Sequence, residues 1–192
     1  MLPVEKKTLI NKVISIQNQM YYLWSFIVSP RTMGTLTPSS SWLCNTMLSQ
    51  IDWSKSLEVA EFGSADGVLT RRILSRMRAD AKLEAFEIQP LFVRKLTQIE
   101  DHRLEVKAHS AEHMRNHYNA VFSSLPLLSM PTRTSIRILR TTQKQLKEKD
   151  GVLILFQYSH FSEKLLSRYF TWHKVRVMKN FPPALVYICK PL

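Results

Sequence analysis

The apolar positions of residues 6–28 fall at Leu9, Val13, Ile16, Met20, Leu23 and Ile27. These alternating four- and three-residue steps draw one stripe down a helix. Lys6, Lys7 and Lys12 sit near its start, and the stretch from Met20 to Val28 widens the stripe almost to the full circumference. Asn11, Lys12, Gln17, Asn18 and Gln19 break any run near the ~20 apolar residues that span a bilayer. No small-residue cleavage site follows, so the segment reads as an amphipathic helix and neither a span nor a leader. Residues 29–41 are polar and turn-rich and read as a loop.

From residue 57 the pattern alternates. Strand-like runs at 57–62, 82–88, 104–108, 118–123 and 151–158 take turns with helical segments at about 68–78, 91–99, 132–147 and 162–170. Two closing strands, 173–181 and 184–189, are joined only by Pro182 and Pro183, too little chain for a helical crossover, so they pair antiparallel. The expected fold is α/β and Rossmann-like: a seven-stranded, mostly parallel sheet covered on both faces, with an antiparallel closing strand. Residues 1–29 form the appended helix and 30–192 the single domain.

Composition changes this picture little. At 192 residues, 45% hydrophobic and 22% charged, the chain can bury a substantial core and is unlike a disordered one. Cys44 and Cys189 have no metal-binding spacing and read as reduced thiols of a cytosolic protein. Charge changes it more. The net +12 is spread unevenly: residues 1–50, 51–100, 101–150 and 151–192 carry +3, 0, +4 and +5. Such a field draws a polyanion, nucleic acid or an anionic membrane, although a solvated basic surface has the same composition.

The neutral quarter holds the candidate chemistry. In an open α/β sheet, ligands bind beyond the carboxyl ends of the strands. Glu61-Phe-Gly-Ser-Ala-Asp-Gly67 ends the first strand and opens the first helix, and two of the four glycines in the chain, Gly63 and Gly67, fall in it. Glycine there permits a tight turn and a close backbone approach to a ligand, though a plain strand-to-helix connection uses it too. Glu61 is placed to accept from a cationic amino-acid group. The next strand ends in Glu87, 20 residues after Gly67, a spacing that suits an acid holding both hydroxyls of a ribose.

These residues resemble a family. Glu61–Gly67 is similar to the Glu-x-Gly-x-Gly-x-Gly motif of class I methyltransferases, with Ala65 at the central glycine. The chain further resembles bacterial phospholipid N-methyltransferases, through its amino-terminal amphipathic helix, Pro30-Arg-Thr-Met-Gly34 and Thr37-Pro-Ser-Ser40. The resemblance continues in Ser123-Ser-Leu-Pro-Leu-Leu-Ser-Met-Pro131, Phe156-Gln-Tyr158 and Asn180-Phe-Pro-Pro-Ala-Leu-Val-Tyr187. It covers nearly the whole chain in order. It implies a Rossmann-like methyltransferase that uses S-adenosylmethionine to methylate the amine of phosphatidylethanolamine or a related phospholipid. It further implies peripheral contact with an anionic membrane at its cytoplasmic face and no specific nucleic acid. The implied cofactor residues are Glu61, Gly63, Ala65, Gly67, Glu87, Ser110 and Ser123. Ser110 takes the place where the family offers an Asp to the adenine amino group, a neutral acceptor roughly half as strong as a charged one. Ser124 and Tyr158, with the carbonyls before Pro126, are implied to hold the acceptor amine.

Other readings are weaker. An RNA adenine N6-methyltransferase would hold a flipped base with an Asn/Asp-x-Pro-aromatic tetrad, where this chain has Ser124-Leu-Pro-Leu127. A non-catalytic relative that keeps the fold while Ala65 and Ser110 erode the site is the remaining alternative. His109, His113 and His117 recur every four residues, but a strand ends at the first and another begins after the last, so no metal face is expected. Arg133, Arg137 and Arg140 share a helix face that reads as solvated, with a lipid phosphate as the other reading. No Gly-x-Ser-x-Gly elbow is present, which excludes that hydrolase chemistry.

Overall fold

The computed structural model describes residues 40–192 apart from Lys149 and Phe181. The expected helix over 1–29 and most of the loop after it lie outside the described residues. The first element, helix α1 (Ser41–Leu48), is one that periodicity alone does not pick out. The Ser40 hydroxyl caps it by accepting from the Leu43 amide, and Leu43, Cys44, Met47 and Leu48 bury one face.

The remaining elements follow the expected alternation. They are β1 (Glu58–Phe62), α2 (Val68–Leu74), β2 (Lys82–Phe86), α3 (Pro90–Leu96), β3 (Leu104–Lys107) and β4 (Ala120–Ser123). Then come α4 (Thr132–Gln145), β5 (Val152–Gln157), α5 (Glu163–Leu166), β6 (Phe170–Val177) and β7 (Ala184–Pro191). Several boundaries differ from expectation by two to four residues. Helix α2 stops four residues early, strand β4 begins two residues late with Tyr118 making only an isolated bridge to Leu146, and Phe170 opens β6 instead of ending a helix.

The sheet runs β3-β2-β1-β4-β5-β7-β6. β1, β2, β3, β4 and β5 pair in parallel, while β7 inserts antiparallel between β5 and β6. Strand order therefore reverses between β1 and β4, the place where an open α/β sheet leaves a crevice at its carboxyl edge. Alternate side chains feed two cores. Val59, Phe122, Ile154 and Val186 pack with α1 and α2 on one face; Phe62, Val121, Leu155 and Tyr187 pack with α4 and α5 on the other. Cys44 lies in the first core and Cys189 in the second, so the sheet separates them; burial pushes their thiols up to about 11 and about 12. Both stay protonated and inert at neutral pH.

Between β3 and β4 there is only a 3₁₀ turn, Ala111–His113, instead of a full helix. Glu84 is consequently buried under loop residues, and it is neutralised there by Lys107 at 3.2 Å, the Asn116 amide at 2.7 Å and the Tyr118 hydroxyl. A buried charge needs such partners, and these consume its oxygens.

Candidate active site

The turn between β1 and α2 is built to open space at the crevice. The Gly63 amide continues the sheet by donating to the Phe86 carbonyl at 3.0 Å, and Gly67 closes a turn on the Ser64 carbonyl at 2.9 Å. Both glycines have positive φ, 71° and 82°, and a β-carbon on Gly63 would meet Leu125 Cδ2 at 3.0 Å. Ala65 between them also has φ 46°, the left-handed region. A glycine at that place would adopt the same backbone without strain. The cost of alanine there is conformational strain of about 1–2 kcal/mol.

Glu61 is fully buried beneath this turn. Thr70 Oγ1, one turn into α2, donates to its Oε2 at 2.6 Å, but Oε1 has no hydrogen-bond partner, and the Ser64 hydroxyl beside it makes no well-formed bond either. Burial pushes the Glu61 carboxyl up from 4.5 to about 7, against the opposing pull of the Thr70 and Ser64 hydroxyls. A carboxylate sealed from water, with one oxygen met only by a poorly placed hydroxyl, has room for a cation or a stronger donor. The ammonium group of an amino acid is a group of that kind.

Glu87, buried at the end of β2, folds back over the turn. Its Oε2 accepts from the Ala65 amide at 2.9 Å, and its Oε1 accepts from the Ile88 and Gln89 amides at 2.8 Å each. Three of roughly four acceptor positions are therefore taken by backbone, a positioning role that spacing did not reveal. Ile88 beside it is exposed and apolar. Ser110 caps the 3₁₀ turn, accepting from the Glu112 amide at 3.2 Å, with the Glu112 carboxylate 3.3 Å from its hydroxyl.

Across from the turn, the Ser124 amide donates to the Phe62 carbonyl at 3.0 Å, which fixes the segment after β4 directly against the turn. The buried Ser123 hydroxyl accepts from the Leu125 amide at 3.3 Å. The Leu125 carbonyl, immediately before Pro126, accepts from Gln157 Nε2 at 2.9 Å. Gln157 escaped the sequence reading although it is the one polar side chain of β5. Tyr158 lies on the opposite face of the sheet from Gln157, packed edge-on against Phe156 at 5.6 Å. Burial raises its phenol pKa, and the Asn180 side chain acts in the opposite direction. Asn180 in turn holds the start of α1, accepting from the Ser40 hydroxyl at 2.8 Å, and donates to the Pro182 carbonyl at 2.6 Å. The structure therefore gathers Glu61, Gly63, Ala65, Gly67, Glu87, Ser123 and Ser124 at the carboxyl edge of the sheet, where β1, β2 and β4 meet. Ser110 stands on the β3 side, and Tyr158 on the β5 side.

Glu61, the left-handed turn at the β1/β4 crevice and the antiparallel β7 between β5 and β6 occur here together, and so does the strand order 3-2-1-4-5-7-6. The fold is that of the class I methyltransferases. The N-methyltransferase NodS from Bradyrhizobium japonicum WM9, solved with S-adenosyl-L-homocysteine, superposes with a TM-score of 0.66 at 11% identity, covering 79% of this chain and 88% of NodS. StiE O-MT superposes with a TM-score of 0.61 at 12% identity, covering 78% and 73%. N- and O-methyltransferases both stand among these neighbours, so this class I fold does not by itself select the methylated atom. In sequence, the chain is 23% identical over 180 residues to the ornithine lipid N-methyltransferase of Singulisphaera acidiphila, covering 88% of this chain and 94% of that protein. No protein-family model matches the chain. Among the described residues, no three metal-ligating side chains converge, and no helix is long and apolar enough to cross a membrane.

Proposed function

We propose that this chain is an S-adenosylmethionine-dependent N-methyltransferase whose acceptor is the amine of a membrane lipid, phosphatidylethanolamine or a related aminolipid. The similarity to an ornithine lipid N-methyltransferase over nearly the full length of that protein is the observation that carries the acceptor class. The half-partnered, buried Glu61 is what fits the cofactor. When bound, S-adenosylmethionine supplies an electrophilic methyl group carried on a sulfonium. Glu61 would hold its ammonium, Glu87 a ribose hydroxyl through its remaining acceptor position, Ile88 the flat face of the adenine, and Ser110 its amino group.

The chain's part in the reaction is positional. An amine attacks only through a free lone pair, so it must reach the methyl carbon unprotonated and in line. Ser124 and the backbone carbonyls that precede Pro126 accept N–H bonds from such an amine and aim its lone pair. No strongly basic side chain is required, because the ammonium proton leaves to solvent before the amine is enclosed. The basic surface suits peripheral contact with anionic lipid on the cytoplasmic side.

The test is transfer of labelled methyl from S-adenosylmethionine to vesicles holding phosphatidylethanolamine, to vesicles holding ornithine lipid, and to RNA. Label in either lipid and none in RNA is expected. Label confined to RNA, or to none of the three while the cofactor binds, would overturn the acceptor assignment.

A further inference from the structure

Eight large apolar side chains stand exposed among the described residues, and five of them (Trp42, Ile88, Leu91, Phe161 and Met178) belong to segments at the carboxyl edge of the sheet. Singly scattered, such residues need no explanation; gathered on the edge that holds a binding crevice, they mark an interaction surface. Ile88 and Leu91 are accounted for by the cofactor side. Trp42, Phe161 and Met178 are not, and they are 54%, 56% and 64% exposed.

These three come from separate elements: the first turn of α1, the segment after β5 and the turn after β6. The Ser40–Asn180 hydrogen bond ties the first to the third. Two of them have a nitrogen-bearing side chain against the ring, and for Trp42 it is a cation. Lys179 Nζ lies 4.1 Å from the Trp42 ring centroid, and the His160 ring lies 4.8 Å from that of Phe161. Arg133, exposed in the first turn of α4, adds a cation to the same edge. An apolar ring with a cation at its side suits a bilayer interface, where the ring enters the acyl boundary and the cation meets phosphate. A protein partner fits less well, since lysine is depleted from the cores of protein interfaces. The +4 and +5 carried by residues 101–150 and 151–192 complement an anionic surface.

We propose that this rim seats the domain on an anionic bilayer, with Trp42, Phe161 and Met178 inserted and Lys179 and Arg133 facing lipid phosphates, so that the crevice opens onto the headgroups. The proposal rests on the reading of the acceptor as a membrane lipid and adds where the domain meets it.

The test uses the full chain and the triple variant Trp42→Gln, Phe161→Ser, Met178→Gln. Sedimentation is measured with phosphatidylcholine vesicles with and without phosphatidylglycerol. Methyl transfer is measured to phosphatidylethanolamine in those vesicles and to dihexanoyl phosphatidylethanolamine kept monomeric. The parent is expected to sediment with the anionic vesicles, and the variant to partition roughly tenfold or more weakly. Transfer to vesicle lipid should fall in step, while cofactor affinity and turnover of the monomeric lipid hold. A parent that does not sediment overturns the rim, as does a variant that sediments equally or loses monomeric turnover to the same degree. If the variant alone fails to sediment but neither lipid is methylated by the parent, the rim stands and the lipid acceptor falls.

Discussion

Replacing Glu61 by glutamine keeps the shape of the side chain and removes its titration, so the consequences of one buried carboxylate can be read alone. Burial holds the Glu61 pKa at about 7 against 4.5 for an unhindered glutamate. The native state therefore keeps a proton on this group between those two values that the unfolded chain gives up. The resulting stabilisation is fully present below about pH 4.5 and is lost as pH rises through about 7, a loss of about 3 kcal/mol. The glutamine variant has no such loss, so in urea unfolding its stability relative to the parent should rise across that window by about that amount. Binding carries the opposite sign. Pairing with the ammonium of S-adenosylmethionine requires the carboxylate, so below about pH 7 the parent must expel a proton to bind. Its affinity should climb about tenfold per pH unit between pH 5 and 7 and then level, while the variant binds weakly with a flat profile. Isothermal calorimetry across that range reads both. An unchanged affinity profile in the variant would refute Glu61 as the ammonium partner, and an unchanged difference in stability would refute its raised pKa.

Three further outcomes follow from the same geometry. Ala65→Gly should stabilise the domain by about 0.5–1 kcal/mol, the left-handed strain less the extra freedom of an unfolded glycine, seen as a higher urea midpoint at constant m; a lower midpoint contradicts the strain. Glu87→Ala should weaken S-adenosylmethionine by about 1–3 kcal/mol and also lower the melting temperature, because three backbone amides lose their acceptor; weakened binding at unchanged stability would mean the turn does not depend on it. Gln157→Leu should lower kcat with little change in cofactor affinity, because it frees the Leu125 carbonyl beside the acceptor; a parallel loss of cofactor affinity, measured by calorimetry, would place its effect elsewhere.

What the sequence disclosed is what short-range chemistry writes into it. The unbroken apolar run Val152–Phe156, short and rich in β-branched residues, reads as a fully buried strand, and the paired glycines read as a turn. An acid at the end of an apolar strand, as at Glu61, announced itself by being out of place. Helix α1 did not, because eight residues hold barely two turns and its apolar positions 43, 44, 47 and 48 are too few to establish a period. The start of β6 was misplaced because most of that edge strand is solvated and shows no alternation. In the site, Gln157 and Thr70 act on groups that only the folded chain brings near: Gln157 reaches a carbonyl 32 residues away, and Thr70 matters only because β1 places Glu61 under it.

The bond between Ser40 and Asn180 spans 140 residues and bears directly on how the resemblance should be weighed. In sequence, the segments 37–40 and 180–187 look like two independent signatures, each available for a catalytic role. In the structure, the last residue of one caps α1 and is held by the first residue of the other, whose amide also braces Pro182 and faces the Tyr158 hydroxyl. A side chain so engaged has little capacity left for an amine. The two segments are better understood as a single clasp that fixes the rim beside the crevice. Tyr158, implicated in sequence through a neighbouring signature, stands against that clasp through the Asn180 side chain, and on the proposed function Ser124 and the carbonyl that Gln157 holds are the groups left to position the acceptor.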